Sequence, residues 1–316
     1  MPNKVPKVKL NDGNEIPIIG LGTYLAEKGI CYQAVKDAID IGYRHFDCAL
    51  IYGNQDEIGQ ALNEAISQNK VTREELFVTS KIWPTYYDHR RLMECAKKIL
   101  HEFKLDYVDL MLLHWPIPFV SNDNEFYPKD SNGDVLLLDI DLVDVYKQLE
   151  QVKKMGLSKS IGISNFNSSQ IERICNKAEI IPVINQVESH SYLSQEKLIQ
   201  FCAAKGIKLT AYRPLGGASK PDQPNLLDDE VVNKIAKKYD KTPANILIKW
   251  QVQRGVIVIP KSVNKERMKN NFDVFSYELS DDDISQLNSL DKGLRFIDYT
   301  KFGLGKAKEW PFRIPF

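Results

Sequence analysis

The stretch Gly42–Gly59 reads GYRHFDCALIYGNQDEIG, and its reading decides the fold. Tyr43 to Cys48 is a short run with apolar flanks that carries an acid, Asp47, near its end. Tyr52 follows five residues later, and Gln55, Ile58 and Gly59 open a helical pattern. The pattern predicts a strand that stops, a short loop and a helix that starts. An acid and a phenol then sit where a strand emerges into its loop. In β/α proteins the carboxyl ends of strands carry the chemistry.

The same unit repeats along the chain. Lys7–Leu10 and Glu15–Ile18 alternate around Asn11-Asp12-Gly13-Asn14, which predicts an N-terminal β-hairpin. Strands are expected at Ile19–Thr23, His45–Cys48, Leu76–Ser80, Tyr107–Leu113, Lys159–Ile163, Val183–Gln186, Lys208–Tyr212 and Val256–Ile259. Helical spacing appears at about 30–41, 57–68, 89–103, 141–155, 168–177, 195–204, 229–239 and 243–252. The strands are apolar on both faces, as a helix-covered parallel sheet requires. Eight β/α units in 316 residues fit an α/β fold, the (β/α)8 TIM barrel, with 1–316 as a single domain. A doubly wound sheet is the alternative. No linker, low-complexity run or shift in composition marks a second domain. Two stretches exceed ordinary connections. Pro116–Leu138 is a long polar loop after the fourth strand. Asp291–Phe316 carries Phe296, Tyr299, Phe302, Trp310, Phe312 and Phe316 without helical spacing, as expected of a C-terminal loop over the barrel mouth.

Formal net charge is zero, with acids and bases interspersed. No basic stripe points to nucleic acid, and no polybasic segment points to a membrane surface. The most apolar run, Leu110 to Val120, is too short and too broken by His114 and Pro116 to span a bilayer. MPNKVPKVKL has no apolar core, so no secretory signal is expected. Five widely spaced cysteines (Cys31, Cys48, Cys95, Cys175, Cys202) predict reduced thiols and a cytoplasmic location. The histidines lack metal-ligand spacing, so no metal site is expected. Gly20-Leu21-Gly22 begins a G-x-G, but Leu25 stands where the dinucleotide fingerprint needs a third glycine. Nothing indicates an obligate interface, and a monomer is expected.

Asp47 ends the second expected strand with Tyr52 in the loop after it, Lys81 ends the third and His114 ends the fourth. Singly, each has an ordinary explanation: a cap, a half-buried aromatic, a loop residue. Together they fall at one mouth, and they suit proton transfer. A neighbouring ammonium favours phenolate, so Lys81 is expected to lower the Tyr52 pKa, with Asp47 holding the lysine. His114 can orient a carbonyl oxygen. The carbonyl then needs a hydride, which side chains do not carry, so a nicotinamide cofactor is implied. Ser164, Asn165 and Gln186 offer partners for a carboxamide, and Tyr212 a ring for stacking. Pro260-Lys261-Ser262-Val263 runs into a helix carrying Arg267. A barrel's phosphate site often lies there, and the basic residues suit a 2′-phosphate.

These residues resemble the aldo-keto reductases, in the branch of aldose and aldehyde reductases. The resemblance spans essentially the whole chain and rests on GYRHFDCALIYGNQDEIG at 42–59, KSIGISNF at 159–166 and IPKSVNKERMKNN at 259–271. It implies a barrel that binds NADPH/NADP+ without a Rossmann fold and reduces small-molecule aldehydes and ketones. It implies Asp47, Tyr52, Lys81 and His114 as the catalytic set, with Tyr52 as general acid. The implied cofactor contacts are Gly22, Thr23, Tyr24, Ser164, Asn165, Gln186, Tyr212, Arg213, Leu215, Lys261, Ser262, Val263, Arg267 and Asn271. The substrate pocket would comprise Tyr24, Trp83, Trp115 and the tail residue Phe302. Its aromatic lining favours apolar or aromatic carbonyls, with ketosteroids and sugar aldehydes as candidates.

The chain departs from the family pattern at four places. Tyr24 stands where relatives near aldose reductase have Trp, Arg213 where a Ser is usual, and Asn270 where a Glu is frequent. Pro214–Asn225 looks shorter than the cofactor-covering loop of relatives, which predicts less hindered NADP release. Two other functions fit the same barrel: a Schiff-base aldolase using Lys81, and a non-catalytic NADP-sensing module.

Overall fold

The computed structural model describes residues 5–26, 29–89, 91–122, 125–217, 223–297, 299–314 and 316. Strands β1 (Lys7–Lys9) and β2 (Glu15–Pro17) form the expected antiparallel hairpin, with Val8 opposite Ile16. Eight parallel strands follow: β3 (Leu21–Gly22), β4 (His45–Asp47), β5 (Phe77–Ile82), β6 (Val108–Leu113), β7 (Ser158–Ser164), β8 (Ile184–Glu188), β9 (Lys208–Tyr212) and β10 (Ile257–Val258). Each pairs with its neighbour in sequence.

The sheet closes on itself. Parallel bridges join Ile19 to Val258 and Gly22 to Lys261. Gly20 N donates to Val258 O at 2.8 Å and Gly22 N to Pro260 O at 3.1 Å. A Cβ at Gly22 would lie 2.7 Å from Ile259 O, so the seam admits only glycine there without shifting backbone. This is the (β/α)8 barrel, and the doubly wound alternative is ruled out by the closure.

Helices α1 (Cys31–Ile41), α2 (Gln55–Ser67), α3 (Arg91–Phe103), α4 (Leu142–Lys154), α5 (Ser168–Cys175), α6 (Glu196–Ala204), α7 (Glu230–Tyr239), α8 (Pro243–Gln253), α9 (Lys265–Phe272) and α10 (Asp281–Asn288) complete the described elements. Their starts follow capping chemistry: Asp141, Asn167, Asp229, Thr242, Asn264 and Ser280 each accept a backbone N–H of the first turn. The sequence reading passed over α10, although Ser280 and Asp283 form a capping box at its start.

The barrel's lower end is sealed by apolar contact. Leu10 and Ile16 of the hairpin meet Phe77, Leu110, Leu112, Ile184 and Ile257. Burial of each such side chain contributes about 1.5–3 kcal/mol. The upper end is left for polar groups. There Phe119–Leu137 and Lys129–Val135 bridges order the long loop after β6. Val135 N donates to Phe302 O at 3.2 Å, which ties the C-terminal tail to that loop. No described helix is long and apolar enough to cross a membrane.

Candidate active site

Asp47 ends β4 and pairs in register with Thr79, so Lys81 stands two residues higher on the next strand. The sequence puts Lys81 at the end of its strand, and β5 runs one residue further, to Ile82. Full burial and two hydrogen bonds hold the lysine side chain in one place. Its Nζ donates to Asp47 Oδ1 at 2.6 Å and to Cys48 O at 2.8 Å. Lys81 is 0% and Asp47 2% exposed, so each charge depends on the other for compensation. Gln186 on β8 donates from Nε2 to the second Asp47 oxygen at 2.7 Å.

Tyr52 ends a single 3-10 turn, Leu50–Tyr52, in the loop after β4. Its ring centroid lies 5.2 Å from Lys81 Nζ and 5.9 Å, edge-on, from the His114 ring. Burial pushes the phenol well above its ordinary pKa, and the Asp47 charge adds to the rise. This direction is opposite to the sequence expectation. Lys81 is present, but its charge is neutralised at 2.6 Å by Asp47, and a dry site disfavours phenolate.

His114 follows β6. Burial lowers its pKa well below the ordinary value, and the Lys81 charge adds to that. The ring is therefore neutral near pH 7, with one N–H donor and Nδ1 buried without a partner. Asn165 Nδ2 donates to His114 O at 2.9 Å, and Tyr212 OH donates to Asn165 Oδ1 at 2.7 Å. Ser164 Oγ donates to Gln186 O at 2.8 Å. Asn165 (φ 66°) and Arg213 (φ 49°) are left-handed. Asn tolerates this readily, whereas for Arg it is uncommon and marks a backbone held by its surroundings.

These groups open into one cavity at the barrel mouth. Asp47, Tyr52 and His114 line it, as do Gly22, Thr23, Tyr24, Ser164, Asn165, Gln186, Tyr212, Arg213 and Lys261 of the expected cofactor set. Trp83 and Trp115 of the expected pocket line it too. Lys81 lies beneath, reaching the cavity only through its contacts.

Five expected cofactor residues lie away from it. Leu215 is half-buried between two apolar clusters, and Asn271 is buried in α9. Ser262 Oγ accepts from Asn264 N at 3.1 Å, while Val263 and Arg267 are exposed at the start of α9. Phe302 is not a lining residue; it stacks behind the wall, 5.7 Å from Tyr127 and 5.8 Å from Tyr299. The wall itself is Tyr127, Ile297 and Tyr299, with Tyr127 hydrogen-bonded to Tyr299. Their signal in the sequence was only that aromatics cluster in the two long irregular stretches. Trp83 Nε1 donates to Phe126 O at 2.6 Å and so fixes the first of those stretches. Of the loop Pro214–Asn225, residues 218–222 lie outside the described ones.

Residues 19–292 match the model of the Aldo/keto reductase family. The chain belongs to this family. This aldo-keto reductase is 45% identical over 295 residues to the human protein named aldo-keto reductase family 1 member A1, covering 92% of this chain and 90% of the relative. It is 41% identical over 312 residues to family 1 member C18 of Rattus norvegicus, covering 96% of each. Among solved structures, the aldose reductase from Schistosoma japonicum superposes with a TM-score of 0.92 at 38% identity, over 98% of this chain and 99% of that one. An aldo-keto reductase is an oxidoreductase acting on carbonyl compounds, and the polar groups gathered at the barrel mouth are where such chemistry belongs.

Proposed function

We propose that this aldo-keto reductase reduces aldehydes and ketones to alcohols with NADPH, and that Tyr52 donates the proton. The observation that carries this reading is the buried Lys81–Asp47 pair set directly beneath Tyr52 at the cavity floor. A phenol whose pKa is raised holds its proton throughout the neutral range, as a general acid must. Lys81 and Asp47 then position the phenol and compensate one another's charge. Neutral His114 orients the carbonyl oxygen through its N–H.

The donor set fits NADPH. Gln186 has its amide nitrogen committed to Asp47, so recognition of a carboxamide falls to its carbonyl oxygen together with Ser164 and Asn165. Tyr212 offers a ring, and Lys261 and Arg213 bring positive charge to the same cavity. Arg267, in the first turn of α9, extends that charge, and Ser262 just before the helix adds a hydroxyl donor, toward a 2′-phosphate. NADPH, when bound, supplies the hydride for the carbonyl carbon. Trp83, Trp115, Tyr24, Tyr127 and Tyr299 favour an apolar or aromatic substrate over a free sugar. The free cysteines and the interspersed charge are in keeping with a cytoplasmic monomer of one domain.

The Schiff-base alternative loses support. An ammonium held by a carboxylate at 2.6 Å and a carbonyl at 2.8 Å has no lone pair for attack. The test is Tyr52→Phe. NADPH oxidation by a generic aldehyde should disappear while NADPH binding, followed by fluorescence titration, stays within about twofold. Full turnover in that variant would refute the assignment of the acid.

A further inference from the structure

Strand β8, buried throughout, also carries an acidic side chain that the proposed reaction does not use. Glu188 lies two residues beyond Gln186, is 0% exposed and does not line the cavity. Its carboxylate is engaged by the C-terminal tail. Phe296 N donates to Oε1 at 2.6 Å and Ile297 N donates to Oε2 at 3.0 Å. His190 Nε2 lies 3.0 Å from Oε1, and the Arg295 guanidinium 3.9 Å from Oε2. Burial opposes ionisation, yet the hydrogen bond from His190 and the backbone donors hold the Glu188 carboxyl below the usual range.

The same loop grips the chain just upstream. Lys292 N and Leu294 N donate to Tyr192 O at 3.1 and 2.9 Å. The tail is thus stapled to Tyr192 at 292 and 294 and to Glu188, the last residue of β8, at 296 and 297, and there it forms cavity wall, with Ile297 and Tyr299 lining it. The last fixed point before that wall is a buried carboxylate. Backbone N–H groups that lost this acceptor would be left unpaired in a dry site, so the local structure would shift to find partners.

We propose that Glu188 is a positioning residue that anchors the backbone at 296–297 and thereby sets the wall residues Ile297 and Tyr299, deciding which carbonyl substrates fit. The proposal rests on the carbonyl-reduction reading for its kinetic consequence only. Glu188 acts through the tail and touches no reacting atom. One strand then serves two tasks: Gln186 faces the proton machinery, and Glu188 holds the specificity wall.

The test uses the full chain with NADPH, a short aliphatic aldehyde and a bulky aromatic aldehyde. Glu188→Gln keeps the shape but turns an amide nitrogen toward a backbone donor. Its KM for the bulky aldehyde should rise about tenfold, the shift expected for one lost buried hydrogen bond. KM for the short aldehyde, and kcat for both, should stay within about twofold. Amide exchange at 296–297 should accelerate while β5 and β6 keep their protection. Equal changes for both aldehydes, or unaltered exchange at 296–297, would overturn the proposal. If the wild type oxidises NADPH with neither aldehyde, the carbonyl-reduction reading fails instead, and the exchange measurement alone decides the anchor. If Glu188→Gln does not fold, Glu188→Asp keeps the charge but shortens the reach, and the same KM split and exchange change decide.

Discussion

Replacing Lys81 with Met tests whether the floor of the site is the charge-compensated unit described above. The substitution removes the ammonium but keeps a side chain of similar length. Asp47 would remain 2% exposed, with Gln186 Nε2 at 2.7 Å as the one side-chain donor left to its carboxylate among the described residues. Losing one partner of a buried ion pair costs about 3–5 kcal/mol, because the survivor has neither water nor counter-charge. Cys48 O, which accepts from Lys81 at 2.8 Å, loses its donor as well. Urea unfolding followed by far-UV dichroism should show a midpoint lower by about 1–2 M at an unchanged slope. The double variant Asp47→Asn/Lys81→Met carries no buried charge and should recover most of that loss, while aldehyde reduction stays absent in both. Two results would sink the reasoning. One is a single variant within 1 kcal/mol, approximately, of the wild type. The other is a double variant no more stable than the single one.

Two further outcomes are expected. Burial holds the His45 pKa down at about 4, whereas the unfolded chain takes up that proton near about 6.5. Between those values the unfolded state binds more protons, so stability is complete above about pH 6.5 and falls as pH drops toward 4, by about 3 kcal/mol from this group. Urea midpoints at pH 7.5 and 4.5, roughly either end of that window, should converge in His45→Gln relative to the wild type; an identical pH dependence in both proteins would contradict it. Arg213, which lines the cavity and donates from Nη1 to Gly217 O at 3.2 Å, is expected to pair with the cofactor's pyrophosphate. Arg213→Ser should weaken NADPH binding about tenfold and reduce its salt dependence, and unchanged affinity at low and high salt would refute the contact.

Much of the fold was legible because helix and strand periods are local. The β/α alternation, the hairpin and the strand ends bearing Asp47 and His114 could all be read from spacing. Lys81 is legible as the end of its strand, although β5 runs one residue further to Ile82, since strand ends carry no sharp local mark. Helix α10 was passed over although its capping box stands in the sequence. The pocket wall was harder. Phe302 was expected in it, yet Phe302 packs behind Tyr127 and Tyr299, because irregular segments have no period from which to tell an inward face from an outward one.

The sequence by itself determined the β/α alternation, the family resemblance and the residue types at the strand ends, all of which follow from the order and spacing of short motifs; closure into a barrel was decided by the Ile19–Val258 and Gly22–Lys261 seam. Tertiary structure alone decided how those residues act on one another. The direction of the Tyr52 shift depends on burial and on Asp47 cancelling Lys81, neither of which spacing encodes. The Gln186–Asp47 bond joins residues 139 apart in the chain, and the Glu188–Phe296 bond residues 108 apart. Charges and hydrogen bonds act through space over a few ångströms, and only barrel closure brings the end of β8 to both the proton machinery and the tail.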